Sequence, residues 1–497
     1  MRTLGVVRTT AKHAAWALLY AGAGGFLVAV VALVVHLNGR PDLKVWHTAR
    51  LSEEFSADSR VESWAEYLAL EDRLFDQLEA EVYDRIDPAD RRHVARYHKG
   101  SLSDPQRWPR NWNRSFELSQ KAPRAGVLLI HGMSDSPYSM RSLGERLSEE
   151  GASVVGLRVP GHGTAPSGLV DIEWQDMAAA VRIAARHLRE SIGEQPLFVV
   201  GYSHGGALAV EHALDALENA QLPQWDRIVL LSPAIGITRL AALAVWQERL
   251  GHLLGLEKLA WNSLLPEYDP FKYGSFALNA GKQSHLISAE IRSHIANLGA
   301  RGALDRFPPT LAFQSVVDAT VSSPALVTGL FDPLPEGGHE LVLFDINRLG
   351  DIEMILRRDP AAWLDGILRD AEPTFTVSVV MNESDEQAGV VLRQHEAGEI
   401  EITETQLGLR WPGNVYSLAH VALPFPPDDP LYGGPDAGES PGIQLGELVL
   451  RGERGVLLIG AADQIRLRWN PFHSYVEQRV VEILEELDPG GRPRASD

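Results

Sequence analysis

Five consecutive residues read Gly201-Tyr-Ser203-His-Gly205, a G-x-S-x-G pattern. A serine on a sharp strand-to-helix turn is lifted clear of its neighbours and can act as a nucleophile. Both flanking positions must be glycine, because side chains there would collide with adjacent backbone. Gly206 and Ala207 continue the small residues into the following segment. A helix N-terminus at that point favours negative charge near the serine. Attack of Ser203 on a carbonyl group would leave an oxyanion, which needs two preorganised N–H donors. One is the backbone of His204, the residue after the nucleophile. The other is the backbone of Met133, in the segment Ile130-His131-Gly132-Met133 that closes an apolar run. His131 itself reads as a structural histidine that orients this loop.

The elements needed to position these groups can be read in order. Apolar runs at 126–130, 153–159, 197–200, 227–231, 310–314 and 341–344 predict strands. Between several of them lie amphipathic stretches at 139–150, 172–192 and 205–217 that predict helices. Short apolar strands alternating with helices imply a parallel sheet covered on both faces. Two stretches interrupt the alternation. One is 235–306, helical and rich in Trp, Leu and Ala; the other is 350–412, with a helix and β-like runs at 375–380 and 390–393. Both read as insertions. A further helical pattern spans 51–96, a Trp-, Pro- and Asn-rich loop spans 101–124, and 470–487 predicts a closing helix.

His131-Gly-Met-Ser-Asp-Ser-Pro137, Arg158-Val-Pro-Gly-His-Gly-Thr164 and Gly201-Tyr-Ser-His-Gly-Gly206 together resemble the α/β-hydrolases. They are most similar to the monoacylglycerol lipase, carboxylesterase and serine aminopeptidase group. The resemblance covers about 126–323 and, loosely, the C-terminal helix. It implies an α/β-hydrolase fold with a mostly parallel eight-stranded sheet, a helical lid after the sixth strand, and a Ser-Asp-His triad in that chain order. The stretch 235–306 falls where that lid falls. Its aromatics, from Trp261 to Phe276, either line an acyl pocket or pack the core of a small cap.

That chain order points to Asp318, at the end of the strand 310–314, as the acid that holds the imidazole. Asp345, after the next strand, is the reserve. Four histidines follow Asp318. His395 lies in a polar run and reads as surface. His339 enters its strand at the N-terminal edge, whereas active sites of open α/β sheets lie at the carboxyl ends. His473 sits in the last helix and reads as a packing residue. His420, on the last loop before that helix, is the expected base.

The chain is 497 residues long, 45% hydrophobic and 23% charged, so wholesale disorder and coiled coil are excluded. Its net charge of -20 and the absence of a basic run argue against nucleic acid as a partner. With no cysteine there is no disulfide, thiolate metal site or cysteine nucleophile. The uncharged stretch from Ala14 to Val35, about 22 residues, is long enough to cross a hydrocarbon core of roughly 30 Å. Arg2, Arg8 and Lys12 precede it, and Trp16 and Tyr20 lie near one end. A cleaved signal peptide and a buried core helix are the competing readings.

The expected organisation is therefore a cytoplasmic N-terminus at 1–13 and a transmembrane anchor at 14–37. A helical region and linker at 38–124, a hydrolase domain at 125–488 and a disordered tail at 489–497 complete it. The catalytic domain is expected on the outer side of the membrane, periplasmic or extracellular. The expected activity is hydrolysis of lipid esters such as acylglycerols through an acyl-enzyme on Ser203, with no metal or organic cofactor. The alternatives are a serine peptidase, an acyltransferase, or a membrane-bound protein that binds without catalysis.

Overall fold

The computed structural model describes residues 2–236, 257–350, 356, 359–370, 373–447 and 464–487, and within the first helix it omits the side chains of 2–12, 14, 15, 29, 30, 33 and 36. Seven principal helices are α1 (Arg2–Asn38), α2 (Trp64–Leu78), α3 (Arg141–Glu149), α4 (Trp174–Ile192), α5 (His204–Glu218), α6 (Leu278–Ala300) and α7 (His473–Leu487). The strands of the main sheet are β1 (Phe116–Leu118), β2 (Gly126–Ile130), β3 (Ser153–Leu157), β4 (Leu197–Tyr202), β5 (Arg227–Leu231), β6 (Thr310–Ser315), β7 (Glu340–Phe344), β8 (Thr376–Ser384), β9 (Gln387–His395) and β10 (Ile402–Arg410). Their order across the sheet is β1-β3-β2-β4-β5-β6-β7-β8-β9-β10.

The strands from β3 through β8 in that order run parallel. β1, β9 and β10 are antiparallel to their neighbours. The mostly parallel sheet is as expected, but it has ten strands and not eight. The difference comes largely from 350–412, whose β-like runs continue the sheet edge as β8, β9 and β10. β10 is largely exposed.

Alternate residues of each central strand serve opposite faces, because side chains of a strand point to alternate sides. Leu128, Ile130, Val199 and Leu230 pack with α4, α5 and α6. Val127, Leu129, Val200 and Leu231 pack on the other side with α3 and α7. Both faces are covered, which is why the strands read as continuous apolar runs.

The stretch expected as a lid lies partly outside the described residues, at 237–256. Its described C-terminal part is the long helix α6, packed on the sheet-covering layer beside α5. Asn279 Nδ2 donates to the carbonyls of Leu169 and Ile172, which ties α6 to the segment before α4.

The region 38–124 contributes β1 to the sheet, and a buried ion cluster ties its helix α2 to the strand-end segment after β3. Arg158, fully buried, donates to Glu71 of α2 at 3.1 Å and bidentately to Glu54 at 3.0 and 3.1 Å. Tyr67 Oη donates to the Arg158 carbonyl at 2.7 Å. Helix α2 starts at a capping box in which Ser63 and Glu66 satisfy each other's backbone N–H groups. The helical pattern read over 51–96 is thus confined to its middle.

Helix α1 forms over the apolar N-terminal stretch, but among the described residues no helix is long and apolar enough to cross a membrane. This overturns the expected transmembrane anchor at 14–37 and the placement of the hydrolase domain on its outer side. Leu37, near the C-terminal end of the helix, is buried. The tail expected to be disordered, 489–497, lies outside the described residues.

Candidate active site

The turn between β4 and α5 carries Ser203 at φ 52° and ψ -115°. A non-glycine residue there costs on the order of 1–3 kcal/mol and persists only where surrounding bonds impose it. Those bonds are present. The Ser203 N–H donates to Leu231 O at 2.9 Å, and the Ser203 carbonyl accepts from Gly206 N at 3.0 Å and Ala234 N at 2.8 Å. The flanking glycines have a steric cause. A Cβ on Gly201 would lie 2.5 Å from Gly205 O, and one on Gly205 would lie 2.2 Å from Ile130 O. No side chain fits without moving a strand.

Three strand ends converge here. Ser203 follows β4, Asp318 follows β6 and the Gly132-Met133 segment follows β2, all at carboxyl ends of the sheet, as open α/β sheets place their ligands. His420 arrives from far along the chain, in a short 3-10 turn at 420–422. His420 Nδ1 lies 2.7 Å from Asp318 Oδ2, and His420 Nε2 lies 3.0 Å from Ser203 Oγ. The loop that carries His420 is pinned to the end of β7. Asn347 N donates to Tyr416 O and Asn347 Nδ2 to Val415 O, each at 2.8 Å. Trp411 and Leu418, both buried, seat the loop in the core.

Asp318 has further partners that sequence reasoning missed. Gln314 Nε2 donates to its Oδ2 at 3.0 Å, and the N–H groups of Thr320 and Val321 donate to its Oδ1 at 2.7 and 3.0 Å. Burial raises the carboxyl's affinity for a proton, but the charge and hydrogen bond of His420 and these N–H groups outweigh it. They hold Asp318 below the usual aspartate range. The signal in the sequence was an amide four residues upstream of the acid on one strand, which has no pattern of its own.

The Gly132-Met133 loop, expected to supply an oxyanion N–H, packs directly on the serine. A Cβ on Gly132 would stand 3.1 Å from Ser203 Cβ. Among the described residues, no backbone carbonyl accepts from the N–H of Met133 or of His204. His131 sits beneath this loop. Its Nε2 accepts from Val159 N at 3.0 Å, so its Nδ1–H donates to Gly132 O at 2.8 Å. Burial, then the neighbouring His162, keep it neutral, far below the ordinary histidine value. His204 points away from solvent, against Met177 Sδ and Ser284 Oγ of α6, and burial lowers it to about 3. A cleft of about 150 Å³ opens beside the site, lined among others by Asp135, Tyr268, Lys272, Val421, Phe425 and Arg468. Lys272 Nζ pairs with Asp135 Oδ2 at 2.7 Å, and Tyr273 N donates to Ser134 O at 2.9 Å, so the stretch after 264 braces the loop that follows β2.

The other candidates lie elsewhere. Asp345, the reserve acid, is held by Arg348 at 2.8 Å. His339 is buried at the N-terminal end of β7 against Phe307. His473 is buried at the start of α7, beside the Pro424 carbonyl. His395 is not a surface residue: it is 3% exposed, and its Nε2 meets Glu399 O at 2.8 Å. It closes β9, where strand alternation turns it toward the core despite its polar neighbours.

The family model for serine aminopeptidases (S33) matches residues 121–289. A thermostable monoacylglycerol lipase of Bacillus sp. (strain H-257) is 33% identical over 117 residues, covering 24% of this chain and 44% of the relative. The chain thus spans less than half the length of that curated relative. Among solved structures, a metagenome-derived lipolytic enzyme from work on LipS and LipT covers 51% of this chain and 98% of its own, at 24% identity and a TM-score of 0.35. A monoacylglycerol lipase of Paleococcus ferrophilus covers 46% and 88%, at 19% identity and a TM-score of 0.35.

Proposed function

From a chain that is an α/β-hydrolase of the monoacylglycerol lipase and serine aminopeptidase group, we infer a serine hydrolase that cleaves carboxylic esters of the acylglycerol type through an acyl-enzyme on Ser203. The observation that carries the reading is the continuous contact Ser203 Oγ, His420 Nε2, His420 Nδ1, Asp318 Oδ2, at 3.0 and 2.7 Å. In this reading Ser203 Oγ adds to the ester carbonyl carbon while its proton passes to His420 Nε2. Asp318 accepts the Nδ1–H, fixes the tautomer and stabilises the imidazolium that forms. The N–H groups of Met133 and His204 bind the oxyanion. Collapse of the tetrahedral species breaks the ester C–O bond, and the leaving alcohol takes the proton from Nε2. Water, deprotonated by the same nitrogen, then adds to the acyl group and releases the acid and Ser203.

The acylglycerol class is supported by the lipase relative and by the cleft, whose Tyr268, Val421 and Phe425 offer apolar surface beside polar Asp135 and Lys272. The test is labelling with a fluorophosphonate probe, together with turnover of p-nitrophenyl butyrate, a monoacylglycerol and an aminoacyl anilide. Wild type is expected to label and to hydrolyse the two esters, and Ser203→Ala to do neither. Labelling that survives in Ser203→Ala would move the nucleophile elsewhere. Turnover of the anilide without the esters would make the protein a peptidase.

A further inference from the structure

Away from that site, α5 and α6 hold a carboxylate-rich cluster between them. Glu211 and Asp215 lie one turn apart on α5, His294 faces them from α6, and one ligand atom of each lies within 4.8 Å of the others. Glu211 is 4% exposed, and its Oε2 is buried with no hydrogen-bond partner among the described residues. A buried carboxylate oxygen without a donor is costly unless a counter-charge meets it. His294 Nδ1 is 3.8 Å from Glu211 Oε1, too far for a hydrogen bond. The other ring nitrogen, His294 Nε2, is 2.9 Å from Glu218 Oε2 and donates to it. That bond leaves Nδ1 turned toward Glu211. A carboxylate behind the ring is also the arrangement that orients a metal-binding histidine and makes it more basic.

The surrounding charge points the same way. Four carboxylates, Glu211, Asp215, Glu218 and Glu290, share this region. Two guanidinium groups oppose them: Arg182, 3.5 Å from Asp215 Oδ2, and Arg301, 2.6 Å from Glu218 Oε1. The carboxylates outnumber the guanidinium groups paired with them, an excess that a cation would offset. We propose that Glu211, Asp215 and His294 form a site for a Zn²⁺-class divalent cation, with Glu218 orienting the histidine. One imidazole and two carboxylates are a Zn²⁺ donor set, with a fourth position for water, whereas Mg²⁺ prefers six oxygens. Bonds of about 2.0–2.2 Å would draw the three groups together. Glu211 is eight residues, roughly 12 Å of helix, beyond Ser203, so the ion clamps α5 to α6 without touching the reacting atoms.

The test uses the full chain after chelator treatment and dialysis. Titration with Zn²⁺ is expected to show one ion per chain. The thermal midpoint should rise by roughly 2–3 °C at a hundred-fold excess over the dissociation constant. Glu211→Gln and His294→Ala should abolish both effects, and Glu218→Gln should weaken binding by about 10- to 100-fold. Circular dichroism verifies that each variant folds, and Asp215→Asn replaces any that does not. Absence of Zn²⁺ binding in the wild type, binding undiminished in Glu211→Gln and His294→Ala, or equal stabilisation by Mg²⁺ would each overturn the site. None of these readouts depends on hydrolysis by Ser203, so the outcome is independent of the proposed activity.

Discussion

Each bond from Ser203 to Asp318 has a single sensible direction, because Asp318 is held ionised and can only accept. The proton on Nδ1 therefore belongs to that bond, and Nε2 is left free to take one from Ser203. If the three side chains act as a unit, their removal does not add. Ser203→Ala and His420→Ala should each lower ester turnover by on the order of 10⁴-fold or more, and the double variant should lose no more than either. His339→Ala is the control, since His339 lies at the opposite end of β7. Steady-state rates for the four proteins check this. Additive losses, or a His339→Ala rate as poor as that of His420→Ala, would remove His420 from the role of base.

The strand-turn-helix unit that presents Ser203 works only because backbone approaches backbone. Gly205→Ala would force a methyl group to 2.2 Å from Ile130 O, where no flexible side chain can yield. Overpacking of this kind should cost about 3 kcal/mol or more and displace the turn. Urea unfolding should show a lowered midpoint together with lost fluorophosphonate labelling. A stable, fully labelled variant would mean that β2 and α5 can separate. A second element-scale dependence is the Arg158 cluster. Removing one side of a buried, hydrogen-bonded ion pair leaves the other charge uncompensated, at about 3–5 kcal/mol. Arg158→Ala should show that loss in a denaturant titration, because Glu71 would remain buried without its cation. A near-neutral result would show that α2 and Glu54 contribute little to the docking of the region 38–124.

The whole molecule holds many neutral histidines out of water. His47, His162, His212, His339 and His473 are lowered to about 4 and His204 to about 3, and His131 lies well below its ordinary value, in every case with burial as the leading cause. Above pH 6.5 both folded and unfolded chains leave these rings neutral, so they add no pH dependence. Below it the unfolded chain binds protons that the folded chain refuses, and stability falls. Each histidine contributes about 1.4 kcal/mol per pH unit inside that window, which closes near pH 4. The thermal midpoint should therefore be highest near neutrality and drop steeply from about pH 6.5 to 4.5. A midpoint that stays level across that range would show that these rings are protonated in the folded protein.

What was legible in the sequence was local. The turn at Gly201–Gly205 announces itself because its glycines, its serine and its flanking strand and helix are contiguous, and steric demands act over a few residues. The alternation of apolar strands and helices was legible for the same reason, and with it the parallel sheet. Asp318 and His420 had to be sought through a family's chain order, since nothing in their own neighbourhoods marks them. Their meeting is decided by sheet order and by the Asn347 bonds that fold the loop 411–420 back over the strand ends. The ten-stranded width was not legible, because an edge strand with one exposed face carries a weak pattern; β10 is nearly all exposed. Polar neighbours misplaced His395, whose burial depends on which face of β9 it occupies. The stretch 14–35 read as an anchor from its length and composition, yet among the described residues no helix is long and apolar enough to span a membrane. Pairings between residues 87 to 217 positions apart, such as Arg158 with Glu71 and Glu54 or Ser203 with His420, exist only once the chain has folded, because they are set by distance in space and not along the sequence.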